Sequence, residues 1–475
     1  MEMKMKTGFA AFMAAASLGA AQIDEIIVRQ QWPWSTDVKV EYKISGVTTP
    51  VDIGVKVYDG EEELVSENFS KSLVGDMHGI SKDGVGTILI DPVKAFGNDR
   101  KVLANFKVEL TLSDSAANIG EVLYKVFDLE SGKCEDITRA KLLDGHYGSV
   151  ETDFSKIGPG FNTTLDDVLI WTGVTNNIAY KTTHLVMRKI PAKDQSFLMG
   201  SPEGEVGREK NTNDKGTESS VKVRFTDSYY MSVFEVTQEQ YSRIFNGSAP
   251  SKYVGENANL HPVEAVSYNT LRGSASTKGA SGENINWPTN SNPHEVASGS
   301  FLHSLRAATG NVHEFDLPTC AQWEYACRAG TETAFNNGKN LESILVYPSP
   351  NLDYIAWFNN DVNGSAADLH THIVGEKAPN AWGLYDMHGN VNEFCLDGYH
   401  KDINPDGLEE LVDPPGLVAV GGQRSFKGGG YANPSWFCRS GARSYDHMQI
   451  WSGNTASHLG VRLAFQSREN QTEEE

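Results

Sequence analysis

Thiols are the first groups to weigh for chemistry. The chain carries five: Cys134, Cys320, Cys327, Cys395 and Cys438. None stands in a CxxC or CxxH spacing, so a zinc cage is not expected. Their odd number leaves at least one thiol unpaired in any disulfide scheme. His294, His303 and His313 are scattered over a loop-like insertion without a fixed metal spacing. The run Gly428-Gly429-Gly430 is followed by Tyr431, and a phosphate loop would need Lys and Ser or Thr there. Glu235, Glu324, Arg443 and Arg462 read as paired charges that hold irregular loops together, in preference to acid–base catalysts. Trp32-Pro33-Trp34 could stack on a sugar, but no polar cluster accompanies it, so packing is the better reading.

The elements that must position these groups are mostly short. Residues 38–42 (VKVEY), 51–57 (VDIGVKV) and 106–112 (FKVELTL) alternate apolar and polar, and 87–90 (TILI) is a short apolar run. Turn residues flank each one. This pattern predicts an all-β sandwich of immunoglobulin-like type over 22–144. Residues 145–184 lack periodicity and read as a connector. Downstream, Thr237 with Gln240 and Thr319 with Gln322 form two capping boxes, each opening a helix, and Gly330 offers a stop for the second.

Composition narrows the setting. Lys plus Arg number 41 and Asp plus Glu 62 among 475 residues, a net charge of −21. Such a chain repels nucleic acid and anionic membranes, so neither is expected as a partner. Lys4 and Lys6, the apolar residues 9–16 and the small residues 19–21 read as an export signal over 1–21. No other stretch reaches the length needed to span a membrane. A secreted or periplasmic protein is expected, ending in an acidic tail at 467–475.

From residue 185 to 466 a series of signatures follows in order. They are 197–201 (FLMGS), 230–237 (YMSVFEVT), 261–264 (HPVE), 317–330 (LPTCAQWEYACRAG), 382–393 (WGLYDMHGNVNE), 427–431 (KGGGY), 438–444 (CRSGARS) and 459–463 (LGVRL). In this order they resemble the formylglycine-generating enzyme, or sulfatase-modifying factor, family. The resemblance implies an irregular α+β domain related to C-type lectins, calcium binding, and copper-dependent oxidation of a client cysteine to formylglycine.

The oxidation needs two thiolates on one copper(I) ion, since soft ligands suit that ion. In the enzymes, Gly-Gly-Ser-Tyr is followed two residues later by one active cysteine and five residues after that by the other. Here Gly430 holds the serine position and Asn433 the first cysteine position. Cys438 falls on the second when counted from the glycines, and three residues beyond it when counted back from Ala442-Arg443-Ser444. The family's usual aromatic in the Gly-Asn-x-x-Glu turn is Asn392. Cys438 is therefore a candidate catalytic residue only in a divergent enzyme, and copper is not expected. A buried apolar residue or half of a disulfide is its plainer reading. In the family a structural disulfide joins the position of Cys327 to one that aligns with Ser440. Were 438–440 extended, Cys438 would share that face and lie near Cys327.

Asp386-x-x-Gly389-x-Val391-x-Glu393 matches a family calcium site. The resemblance implies side-chain oxygens from Asp386 and Glu393 and carbonyl oxygens from Gly389 and Val391. The expected function is a non-oxidase, calcium-stabilised module that binds a peptide, protein or glycan in a groove lined by Tyr431, Asn433, Trp436 and His447. The alternative is a divergent oxidase or maturation enzyme acting on a cysteine of a client protein.

Overall fold

The computed structural model describes residues 17–18, 21–30, 37–48, 50–66, 69, 72–80, 82–97, 105–114, 120–145, 147–158, 161, 168–208, 218–245, 247, 249–273, 296–345, 349–359, 369–400, 402–416, 423–443 and 455–466. Most of the expected export signal, Trp32 and Trp34, His294, His447 and the acidic tail lie outside them. The chain divides into two compact units, Met1–Leu123 with Ile137–Val150, and Tyr124–Asp136 with Glu151–Glu475. Among the described residues no helix is long and apolar enough to cross a membrane.

The first unit is built from strands β1 (Ser17–Leu18), β2 (Ala21–Gln30), β3 (Val38–Ser45), β4 (Val51–Asp59), β5 (Glu62–Glu63), β6 (Leu73–Gly75), β7 (Gly84–Ile90) and β8 (Phe106–Asp114). They form two antiparallel sheets, ordered β1-β2-β3-β7-β6 and β5-β4-β8. Alternation dictates which side chains go inward. Val38, Val40, Tyr42 and Ile44 of β3 are buried while the residues between them are not. They share one hydrophobic cluster with Val51, Ile53 and Val57 of β4 and Val108 and Leu110 of β8. Helix α1 (Pro92–Phe96) starts with Pro at its first position, and the Asp91 side chain accepts from Val93 N and Lys94 N. Helix α2 (Arg139–Leu143) is capped by Thr138.

The second unit holds β9 (Val122–Asp128) from Tyr124 onward, β10 (Cys134–Thr138) as far as Asp136, β11 (His184–Ile190), β12 (Ser196–Met199), β13 (Val221–Arg224), β14 (Tyr229–Ser232), β15 (Asn392–Gly398), β16 (Glu410–Val412), β17 (Arg424–Lys427), β18 (Leu459–Gly460) and β19 (Ala464–Gln466). Three sheets result, ordered β10-β9-β11-β14-β19, β12-β13-β16 and β17-β15-β18. Helices α3 (Gln238–Ile244), α4 (Tyr268–Arg272), α5 (Phe301–Ala308), α6 (Cys320–Arg328) and α7 (Pro350–Asp353) are short. Both expected capping boxes are present, at Thr237/Gln240 on α3 and Thr319/Gln322 on α6. Helix α6 ends at Arg328, two residues before the expected glycine: its C-cap Ala329 is left-handed at φ 46°, and Gly330 follows at φ 92°.

Two boundaries differ from the sequence reading. The hairpin of β9 and β10 was expected in the first unit, yet β9 pairs with β11, placing Leu185 opposite Phe127 and Met187 opposite Lys125. Tyr124, Val126 and Phe127 are buried. Strand β9 buries residues in adjacent pairs instead of alternating, which is why it lacked the signature of a half-exposed strand. The stretch read as a connector is also largely folded. Phe154, Ile170 and Trp171 are each buried, Glu151 bridges Ile170, and two 3-10 turns (Thr172–Asn176 and Ile178–Lys181) lead into β11.

Candidate functional site

The turn that precedes β15 is fixed by two residues in left-handed conformation, Asp386 (φ 61°) and Asn390 (φ 65°), residue types that tolerate it. Gly389 between them has no alternative, since a Cβ would stand 2.2 Å from the Trp357 carbonyl oxygen. Asn390 N donates to that same oxygen at 2.7 Å. The Asn390 amide then ties the turn outward. Its Nδ2 donates to Glu235 Oε2 (2.7 Å), and its Oδ1 accepts from His372 N (2.9 Å). Glu235 Oε1 accepts from Val391 N at 3.0 Å.

Glu393, on β15, is fully buried and faces Arg462. Arg462 Nε lies 2.9 Å from both carboxylate oxygens, Nη2 lies 2.8 Å from Oε1, and Trp323 Nε1 donates to Oε2. The remaining guanidinium donors reach Ser232 O (2.8 Å), Val233 O (3.1 Å) and Tyr385 O (2.7 Å). This pairing ties β15 to the end of β14 and to the turn at Tyr385.

Three buried carboxylates, of Glu235, Asp386 and Glu393, thus interact with one buried guanidinium, and Lys181 adds a weaker attraction toward Asp386. Burial, then the charges of Asp386 and Glu393, push Glu235 well above the usual carboxylate range. Burial pushes Asp386 up to about 6 against the Gly375 N–H, Arg462 and Lys181. Asp386 Oδ2 accepts from Gly375 N at 2.7 Å, while its Oδ1 is buried without a hydrogen-bond partner among the described residues.

Calcium binds roughly six to eight oxygens with net negative charge. Asp386 Oδ1 and the surplus of carboxylate charge suit it. Glu393 offers no open oxygen in this arrangement, because Arg462 and Trp323 hold both. Among the described residues no group of three or more His, Cys, Asp or Glu is poised to hold a metal. The four expected ligands share one turn, but Asp386 alone presents an unsatisfied anionic oxygen.

The segment with the candidate thiol runs from β17 through Gly428 (φ 97°) and Gly429 (φ 72°). A Cβ on Gly429 would meet Cys438 Sγ at 2.6 Å, so this glycine makes room for the thiol. Asn433 is a loop fastener. Its Oδ1 accepts from Gly430 N (3.0 Å) and Asn392 Nδ2 (2.8 Å), and it is 6% exposed. Asn392 and Asn433, two of the positions singled out in the sequence, are therefore joined by a direct hydrogen bond. Tyr431 N donates to Asn390 O and its hydroxyl to Ser457 O.

Cys438 is fully buried, packed with Phe335, Ile170 and Leu352, and its Sγ lies 3.8 Å from Pro434 O. Burial drives its thiol far above the ordinary range. A reactive or metal-binding cysteine needs the opposite shift. His388 supplies no base to it. Burial lowers His388 to about 4, its Nδ1 lies 2.6 Å from the Cys438 carbonyl oxygen, and its Nε2 accepts from Asn336 N.

No disulfide joins Cys438 to Cys327, and both are fully buried, with His388 in contact with each residue. The described cysteines are all free. Cys327 Sγ lies 3.6 Å from Ser440 Oγ and 3.6 Å from His388 Nε2, while Cys438 belongs to a different cluster. Ser435–Cys438 is a 3-10 turn and not the extended segment expected, so strand alternation does not set the face of Cys438 relative to Ser440.

Trp436 faces elsewhere. It borders a cleft of 920 Å³ together with Glu203, Glu205, Gly207, Glu342 and Arg439. Tyr431 and Asn433 do not line that cleft. Arg439, not singled out in the sequence, anchors its floor. It donates to Glu205 (2.6 Å), Glu218 (2.8 and 2.9 Å), Ser201 Oγ (3.2 Å) and Gly207 O (2.7 Å). These partners lie more than two hundred residues away in sequence, beyond any local signal. The paired-charge reading holds for Glu324 as well, which bonds Lys427 (3.1 Å) and Arg328 (2.8 Å).

Taken together, the second unit is an irregular α+β domain whose short sheets are joined through buried Arg–Glu and Asn–Asn bridges. Residues 189–467 match the sulfatase-modifying factor enzyme 1-like domain, and the chain belongs to that family. It is 26% identical over 220 residues to a Paenibacillus barcinonensis protein named chaperone protein LppX, covering 43% of this chain and 74% of the relative. It is 25% identical over 303 residues to the formylglycine-generating enzyme of Mus musculus, covering 58% of this chain and 74% of the relative. Among solved structures, Treponema denticola variable protein 1 superposes with a TM-score of 0.41 at 25% identity, covering 60% of this chain and 96% of that one.

Proposed function

We propose that this family member is an exported, non-oxidase binding module that holds a peptide, protein or glycan segment in the cleft beside Trp436. The observation that carries the reading is the state of Cys438: a fully buried thiol in an apolar cluster, with an asparagine engaged in loop closure at the partner position. A copper(I) site of the family type needs two accessible thiolates. The cleft offers what recognition needs in its place, an aromatic wall at Trp436 beside charged groups. A relative named as a chaperone favours a protein client over a small metabolite.

On this proposal calcium binds at the Asp386 turn, with Asp386 Oδ1 as the anionic donor and the carbonyls of Gly389 and Val391 as the further donors that the family pattern implies. Glu393 joins only by giving up part of its bond to Arg462. The ion's role is to neutralise buried carboxylates and so to stabilise the turn. The first unit, on this proposal, is an immunoglobulin-like sandwich.

The test is a screen of immobilised peptides and glycans with the intact protein, followed by titration of the best binder. Trp436→Ala should weaken binding at least tenfold while leaving the melting temperature within a few degrees. Equal affinity for variant and wild type would remove the cleft from the proposal.

A further inference from the structure

Cys320 and Cys395 take no part in the turn or the cleft described above, yet the fold brings them together. Cys320 opens α6 and Cys395 lies on β15, and both are fully buried. Two hydrogen bonds align these elements. Leu396 N donates to Pro318 O at 2.8 Å, and Cys320 N donates to Asp397 Oδ2 at 2.7 Å. Phe394 and Leu396 of β15 pack in one hydrophobic cluster, whereas Cys395 packs in another, the one that also holds Cys320. The thiols pack in one cluster, where burial and then the neighbouring Cys320 push the Cys395 thiol up.

We infer that Cys320 and Cys395 are an oxidisable pair that closes to a disulfide when the protein meets an oxidising compartment. The oxidant is a small-molecule or protein disulfide. One cysteine, as thiolate, attacks the donor and displaces a thiol, giving a mixed disulfide. The second cysteine loses its proton to solvent and attacks the protein sulfur of that intermediate, displacing the second thiol. Two protein thiols are oxidised and one donor disulfide is reduced to two thiols, so electrons and protons balance. Burial disfavours the thiolates, so closure accompanies folding or an opening of the α6 N-terminus. The bond would clamp α6 to β15 alongside the Trp323–Glu393 contact.

The inference is independent of the cleft. The experiment refolds the full chain in a buffer of oxidised and reduced glutathione, blocks free thiols, and maps peptides without reduction. The tryptic peptide 307–328 contains both Cys320 and Cys327, so the Cys327→Ala variant is mapped beside wild type. A link from that peptide to Cys395 should form in both, and three of the five wild-type cysteines should remain blockable. Reduction should lower the melting temperature by on the order of 5–15 °C. The Cys320→Ala/Cys395→Ala variant should melt identically with and without reductant. Recovery of Cys320 and Cys395 as free thiols in refolded wild type would overturn the inference. So would a link that disappears in Cys327→Ala. Mapping of wild type decides the matter even where the double variant folds poorly.

Discussion

Replacing Asp386 by asparagine tests the electrostatics of the turn most sharply. Burial raises this carboxyl from 3.8 to about 6. The difference of about 2 pH units, at about 1.4 kcal/mol each, makes the ionised form about 3 kcal/mol less favourable in the folded protein than in the unfolded chain. The folded state binds the proton more tightly. The group's stabilising contribution is therefore present below pH 3.8 and is lost as pH rises through about 6. In the Asp386→Asn variant the new amide oxygen keeps the Gly375 N–H, but the amide nitrogen takes the place of the unpartnered Oδ1, costing about 1–2 kcal/mol. Without divalent ions, Asp386→Asn should be about 1–2 kcal/mol more stable than wild type at about pH 7.5 and less stable at about pH 4. Glu235, raised partly by Asp386, moves the difference in the same direction. Urea unfolding of both proteins across this range in chelator measures it, since groups that titrate alike in both cancel. Saturating calcium should then stabilise wild type by about 2.7 kcal/mol at about one hundred times its dissociation constant and leave the variant nearly unchanged. Parallel stability profiles for the two proteins would refute the reasoning, and equal calcium responses would remove the metal from it.

Other outcomes follow from the same structure. Arg462→Met leaves Glu393 buried without its partner, and chemical denaturation should register a loss of about 3–5 kcal/mol. Trp323→Phe retains an aromatic ring but removes the donor to Glu393, so a smaller loss of about 1.5–3 kcal/mol is expected by the same measurement. Thr319→Ala removes the α6 cap and should cost about 1 kcal/mol. Cys438→Ala should leave ligand affinity unchanged in titration, because the thiol faces the core and not the cleft.

What could be read in the sequence was whatever is local. Strand β3 announced itself by alternation, and both capping boxes by residues three apart, because those signals arise from backbone geometry within one element. The Asp386–Glu393 turn was legible as a motif, but the neutralisation of Glu393 by Arg462 spans 69 residues and needed the fold. The β9 strand and the stretch around Trp171 were misplaced because their apolar residues are buried on more than one side, which erases periodicity. The cleft beside Trp436 depends on Arg439 meeting Glu205 and Glu218, partners 234 and 221 residues away. The extended geometry expected around Cys438 was not legible because Ser435–Cys438 closes into a 3-10 turn.

The central claim is that the domain binds without oxidising. The direct test incubates the purified chain with copper(I), oxygen, a thiol reductant and a cysteine-containing sulfatase-type peptide, and captures aldehyde product with a hydrazide probe. The account predicts no aldehyde above the protein-free background. Aldehyde that forms with wild type and vanishes with Cys438→Ser would contradict it.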